Sequence, residues 1–178
     1  VIWGNNPVVS NSDGLYGHWV VDCMKRGTKA IVIDPRLTWL ASRAELFLQI
    51  RPGTDGALAL GMANYLVEND LYDREFVDLW CYGFEELAER ARDYPLDEVA
   101  EITEIPAEEI AAAARRIGAA ERAILQWGVA IDQIKETIPT AQAVLALFEI
   151  TGNIGKPGTM QQPASILNYA AGWGSEFL

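Results

Sequence analysis

Short apolar runs that stop abruptly in turn-forming and charged residues recur along the first third of the chain. Val1-Ile2-Trp3 runs into Gly4-Asn5-Asn6-Pro7, Ile31-Val32-Ile33 into Asp34-Pro35-Arg36, and a run ending at Ile50 into Arg51-Pro52-Gly53-Thr54. Runs this short and this continuous predict strands buried on both faces, as in a parallel sheet. The strands are expected at residues 1–3, 29–33 and 46–50, with a fourth at 123–127 closed by Gly128. Between them the apolar spacing becomes helical. Residues 14–26 carry Leu15, Trp19, Val20 and Cys23 at helical spacing, and Gly27 suits the C-cap. A short helical stretch is expected at 38–43. A longer helix starts at Asp55, with Thr54 as its N-cap. It draws its apolar content from Leu58, Leu60, Met62, Tyr65, Leu66 and Val67, and ends at Asn69-Asp70.

An all-helical insert follows, at about 71–120. Helices are expected at 73–80, 84–93 and 96–101. A fourth has Pro106 in its first turn and ends near Gly118, with Ile110, Ala113, Ala114 and Ile117 facing inward. The 84–93 helix is acidic early and arginine-rich late, which complements its dipole. A last apolar helix, at 137–150, ends at Gly152-Asn153. Strands alternating with helices imply right-handed crossovers and a parallel sheet. The fold expected is α/β: a Rossmann-like parallel sheet of about four strands, order 3-2-1-4, flanked by helices and carrying the helical insert. One domain is expected over 1–158, with an irregular tail at 159–178.

Composition narrows the function. The chain has 178 residues, of which 50% are hydrophobic, enough for a sizeable core. Its formal net charge of −11 argues against a nucleic-acid binder, which needs a basic face. A nucleotide cofactor stays open, because backbone N–H groups at helix N-termini hold phosphates without net positive charge. No apolar run reaches the length of a membrane span. The cysteines, Cys23 and Cys81, have no metal-ligand spacing, and His18 is the single histidine. A metal site built within this chain alone is therefore not expected. The tryptophans are expected in the core or at an interface. Because Val1-Ile2-Trp3 is already strand-like, a piece of a longer protein is expected.

On a parallel sheet the loops after all four strands meet at one edge, where α/β sheets place nucleotides. Gly4 lets a ligand approach the backbone, and Asn5 and Asn6 offer donors and acceptors. Asp34 ends the second strand, where dinucleotide-binding sheets put the acid that holds ribose hydroxyls. Arg36 can pair with a phosphate or stack on a purine. Asp55 can accept both N1–H and N2–H of a guanine, and its place at a helix N-terminus favours the ionised form. Blander readings stand beside these. Asp34-Pro35 suits a plain turn, Asp55 suits any first helical turn, and Gly4 and Gly128 suit turns. There is no GxGxxG and no GxxxxGKS. No catalytic acid, base or nucleophile can be named.

Five segments, taken together, resemble the molybdopterin oxidoreductases of the dimethyl-sulfoxide reductase family: WGNNP at 3–7, VIDPRLTWLASRAE at 32–45, IRPGTDGALALGM at 50–62, QWGVAIDQ at 126–133 and TGNIGKPG at 151–158. The stretch beginning DCMKRGTKAIVIDPR is similar to the acetylene hydratase-like branch, which includes non-redox hydration. The resemblance implies the third domain of such enzymes and a molybdopterin guanine dinucleotide cofactor with molybdenum. It places Gly4, Asn5 and Asn6 beside the phosphates and pterin, Asp34 and Arg36 at the ribose and guanosine, Gly53 and Asp55 at the guanine, and Gly128 and Gln133 on the loop after the fourth strand. It also implies iron–sulfur and molybdenum-ligand regions that this chain does not contain. Partners would then be the other domains of the parent chain, and the isolated piece is expected to be inactive, to hold the cofactor weakly or not at all, and to self-associate. Family members occur in the cytoplasm and, with twin-arginine signals, outside it. The alternatives are a stand-alone guanine-nucleotide-sensing module, or a parent that is a hydratase.

Overall fold

A computed structural model describes residues 1–10 and 15–160. In chain order it contains β1 (Ile2–Trp3), α1 (Pro7–Ser10), α2 (Leu15–Lys25), β2 (Ile31–Ile33), a 3-10 turn (Ala41–Arg43), β3 (Leu46–Leu48) and α3 (Asp55–Glu68). There follow α4 (Arg74–Trp80), α5 (Phe84–Ala91), α6 (Leu96–Thr103), α7 (Ala107–Gly118), β4 (Gln126–Trp127), α8 (Val129–Asp132) and α9 (Thr137–Ile150). Among the described residues the strands form one four-stranded parallel sheet, in the expected order β3-β2-β1-β4.

The ladders are shorter than the apolar runs that announce them, because pairing fades where the chain enters its loops. The first loop residues stay tied to the sheet. Gly4 N–H donates to the Ile33 carbonyl at 2.8 Å, Gly128 N–H to Trp3 at 3.0 Å, and Asp34 N–H to Leu48 at 3.3 Å. These bonds hold the three loops side by side.

The period of two along each strand sorts side chains onto two faces. Trp3, Ile31, Ile33 and Leu48 join the main core with Leu58, Met62 and Leu66 of α3. Ile2 and Val32 join Leu40 and Ala41 on the other face, where Val20 and Met24 of α2 pack. Of the four residues at helical spacing in α2, Val20 packs inward, while Leu15, Trp19 and Cys23 are exposed. The stripe that faces inward runs through Gly17, Val20 and Met24. Gly17 admits α1, since a Cβ there would meet the Pro7 carbonyl oxygen at 2.5 Å. Gly27 caps α2 as expected, with Gly27 N–H bonded to the Met24 carbonyl and Thr28 N–H to that of Cys23, each at 3.0 Å.

Helix α3 is the hub, packed against α5, α6, α7 and α9. The inner face expected for α7 (Ile110, Ala113, Ala114, Ile117) is buried as a set. Helix α9 ends where Gly152 N–H bonds the Glu149 carbonyl and Asn153 N–H that of Phe148. Asn153 is buried and bolts this turn to the approach of β4: its Oδ1 accepts from Ala123 N–H at 2.7 Å. Among the tryptophans, Trp3 is fully buried while Trp19 and Trp80 are exposed. The tail expected to be irregular lies, from residue 161 on, outside the described residues. Among the described residues no helix is long and apolar enough to cross a membrane, and no cluster of His, Cys, Asp and Glu could hold a metal ion.

Candidate functional site

The loops that leave the sheet at the C-terminal ends of its strands enclose a cavity of about 270 Å³. Gly4 reaches it from β1, Ile33 and Pro35 from β2, Ile50, Pro52, Gly53 and Asp55 from the β3–α3 connection, and Ala130 and Gln133 from the segment after β4. The volume lies just below the range of drug-sized pockets. It suits a single base rather than a whole dinucleotide. A larger groove of about 910 Å³, between α3, α5 and α9, meets this edge only at Gly53 and Thr54.

Glycines shape two of these loops for close approach. Gly53 has φ of +84° and nothing within 4 Å of where a Cβ would stand. Its backbone is therefore open to a ligand in a conformation that other residues resist. Gly128 works the opposite way: a Cβ there would lie 2.5 Å from the Gly4 carbonyl oxygen. It lets the loop after β4 lie against the loop after β1.

Asp55 opens α3 and is buried, 6% exposed. Its Oδ1 accepts a hydrogen bond from the indole N–H of Trp3 at 2.8 Å. Burial pushes this carboxyl above the ordinary carboxylate value, while bonds from Trp3 and from the backbone of Asp55 and Gly53 pull it back. Thr54 stands at the N-cap position, but its hydroxyl donates to the Arg51 carbonyl at 2.7 Å and does not cap α3.

Asp34 is also buried. Its Oδ1 accepts the Arg36 backbone N–H at 2.8 Å and lies 3.6 Å from the Arg36 guanidinium, whose side chain is otherwise exposed. Asp34 thus closes a turn onto Arg36, the residue after the cavity-lining Pro35. Neither Asn5 nor Asn6 lines the main cavity. Asn5 Nδ2 donates to the Trp127 carbonyl at 3.1 Å and lines a second small pocket with Pro7, Ser10 and Gln126. The Oδ1 of Asn6 and the Oε1 of Gln126 are both buried without a hydrogen-bond partner.

Of the nine candidate residues, Gly4, Gly53, Asp55 and Gln133 line one cavity, Asp34 and Arg36 flank it, and Gly128 spaces its wall. Asn5 stands at the neighbouring pocket, and Asn6 lines neither, its Oδ1 buried without a partner. Sequence reasoning missed Trp3 and Gln126. Strand parity and the order 3-2-1-4 carried the signal for Trp3, the last residue of a central strand facing α3. Nothing in the sequence marks Gln126 beyond its place at the head of QWGVAIDQ.

Comparison with known proteins assigns the family. Residues 1–176 match the family model "Molybdopterin oxidoreductase". The chain is 47% identical to acetylene hydratase of Syntrophotalea acetylenica over 130 residues, which cover 73% of this chain and 18% of that protein. It is 32% identical to formate dehydrogenase H of Escherichia coli over 171 residues, covering 96% of this chain and 24% of that protein. The solved structure of acetylene hydratase from Pelobacter acetylenicus superposes with a TM-score of 0.83 at 39% identity, over 89% of this chain and 22% of that one. The chain thus spans about a fifth to a quarter of the length of these relatives. It belongs to the molybdopterin oxidoreductase family.

Proposed function

We propose that this chain holds the guanosine end of a molybdopterin guanine dinucleotide at the C-terminal edge of its sheet, as one domain of a larger molybdenum enzyme. The observation that carries this reading is the convergence of the loops after all four strands on a cavity of single-base size. Among the described residues lining it, Asp55 alone has an ionisable side chain. The residues present fit the group. Gly53 leaves open space at its backbone, and Gln126, whose Oε1 is buried without a partner, lines the pocket beside Asn5.

In this reading Asp55 accepts N1–H and N2–H of the guanine, and Gly53 passes close to the base. Asp34 receives ribose hydroxyls, and Arg36 meets a phosphate or stacks on the purine. Gly4, Asn5, Asn6 and Gln126 contact the phosphates and the pterin side, while Gly128 and Gln133 close the cavity from the last strand. When bound, the cofactor supplies molybdenum held by pterin dithiolenes, at which oxygen atoms, electrons or water are transferred. The identity to acetylene hydratase exceeds that to formate dehydrogenase H, which favours hydration beside redox chemistry for the whole protein. The other domains of that protein would cover exposed apolar side chains such as Trp19, Trp80 and Tyr82. Left uncovered, these favour self-association.

Calorimetry of the 178-residue chain with GDP and ADP tests the reading. GDP is expected to bind more tightly than ADP, and Asp55→Ala to weaken GDP at least about tenfold. Equal heats for wild type and Asp55→Ala would remove Asp55 from the site.

A further inference from the structure

Trp3 is fully buried on β1, a central strand paired with both β2 and β4. Phe or Leu would fill that layer without a polar group to satisfy. An indole N–H is donor-only and needs a partner when buried. It finds one 52 residues away, in the carboxylate of Asp55. One oxygen of the acid that faces the cavity is thereby held from inside the core.

We propose that Trp3 is a positioning residue for base selection: its indole N–H pins Oδ1 of Asp55, so the cavity meets one fixed carboxylate edge that accepts the paired donors of a guanine. This rests on the guanine reading of Asp55. Adenine offers an acceptor, N1, where guanine offers N1–H, and a carboxylate edge that cannot rotate rejects it.

The same bond governs charge. Among the described residues no cation is paired with Asp55. The cavity walls of Gly4, Ile33, Pro35, Ala130 and Gln133 carry no ionisable group. The nearby Arg36 and Arg51 pair with Asp34 and Glu104. Burial pushes the Asp55 carboxyl up, and the Trp3 bond is the foremost influence pulling it down. Removing the N–H raises it further. Guanine needs the ionised acceptor, so its binding is then lost at a higher pH as the solution is acidified.

The experiment measures GDP and ADP binding to the chain between pH 5 and 8. Trp3 is replaced by benzothienylalanine, in which sulfur takes the place of N–H at nearly constant shape, and by Phe; Asp55→Ala serves as reference. Loss of the N–H is expected to weaken GDP about tenfold near pH 6. It should also move the acid midpoint of binding upward and narrow the preference for GDP over ADP. A purely structural role would lower affinity alike at every pH. An unmoved midpoint and an unchanged GDP-to-ADP ratio in the benzothienyl variant, with binding lost in Asp55→Ala, overturns the role of Trp3 and leaves the guanine reading standing. Full GDP binding by Asp55→Ala overturns both. Should Trp3→Phe fail to fold, the benzothienyl variant decides.

Discussion

Replacing Asp55 by Asn turns a carboxylate into a group with one acceptor and one donor. The neighbour in the core decides which is which. Trp3 Nε1 lies 2.8 Å from Oδ1 and can only donate, so the amide oxygen takes that place and the NH₂ takes the other. A guanine edge then brings N–H against N–H. Xanthine, which carries a carbonyl where guanine carries its 2-amino group, finds a donor to match. A hydrogen bond to a charged group contributes about 1.5–3 kcal/mol. Its loss weakens GDP by roughly 10–150-fold. The neutral bond gained by xanthosine diphosphate is smaller, about 0.5–1.5 kcal/mol, or roughly 2–10-fold in affinity. Calorimetry of wild type and Asp55→Asn with both nucleotides, in one buffer, reads the two changes together. If the variant loses GDP but gains nothing for xanthosine diphosphate, the amide is not held in the orientation the indole demands. If it binds GDP as wild type does, Asp55 does not read the base.

Three further outcomes follow from the same contacts. Burial raises Asp55 above its unfolded value, so the folded chain holds that proton more tightly. The resulting stability is complete below the unfolded carboxylate value and lost as pH rises through the folded one. Asp55→Asn, which cannot ionise, should therefore melt above wild type at pH 7, with the gap closing near pH 4; equal gaps at both values contradict this. Asn153→Ala strands the Ala123 N–H and the Thr151 carbonyl and should cost about 2–4 kcal/mol in urea unfolding. Gly128→Ala drives a Cβ into the Gly4 carbonyl and Asn5, at a cost of about 1–3 kcal/mol, and should weaken GDP as it parts the two loops.

The sheet was legible because its strands are continuous apolar runs that end in charge and turns, and their alternation with helices leaves few topologies. Helix α2 was not legible in the same way. Leu15, Trp19 and Cys23 have helical spacing, and so do Gly17, Val20 and Met24. What selects the second stripe is the absence of a side chain at Gly17, against α1. Helices α1 and α8 are four residues each, too short for any period to announce. Thr54 shows a different limit. A hydroxyl can donate or accept, and its preference for the Arg51 carbonyl is settled only when the turn has formed.

The site divides along the same line. Gly4, Gly53 and Asp55 follow from where strands end, whereas Trp3 reaches Asp55 only once β1 lies beside the helix that follows β3. Single ladder bonds from Gly4, Asp34 and Gly128 fix three of the loops before any ligand arrives, so little ordering remains when a base enters. A cavity of about 270 Å³ has room for one base and little else. On the proposed reading, the phosphates and pterin of a dinucleotide would lie outside this cavity, in space that the described residues do not enclose. If Asp55 reads guanine as proposed, base selectivity would reside in this chain, while most of the affinity for the whole cofactor would come from surfaces beyond this cavity. A nucleotide that ends at the phosphates should then retain the base preference of the intact cofactor with only a fraction of its binding energy.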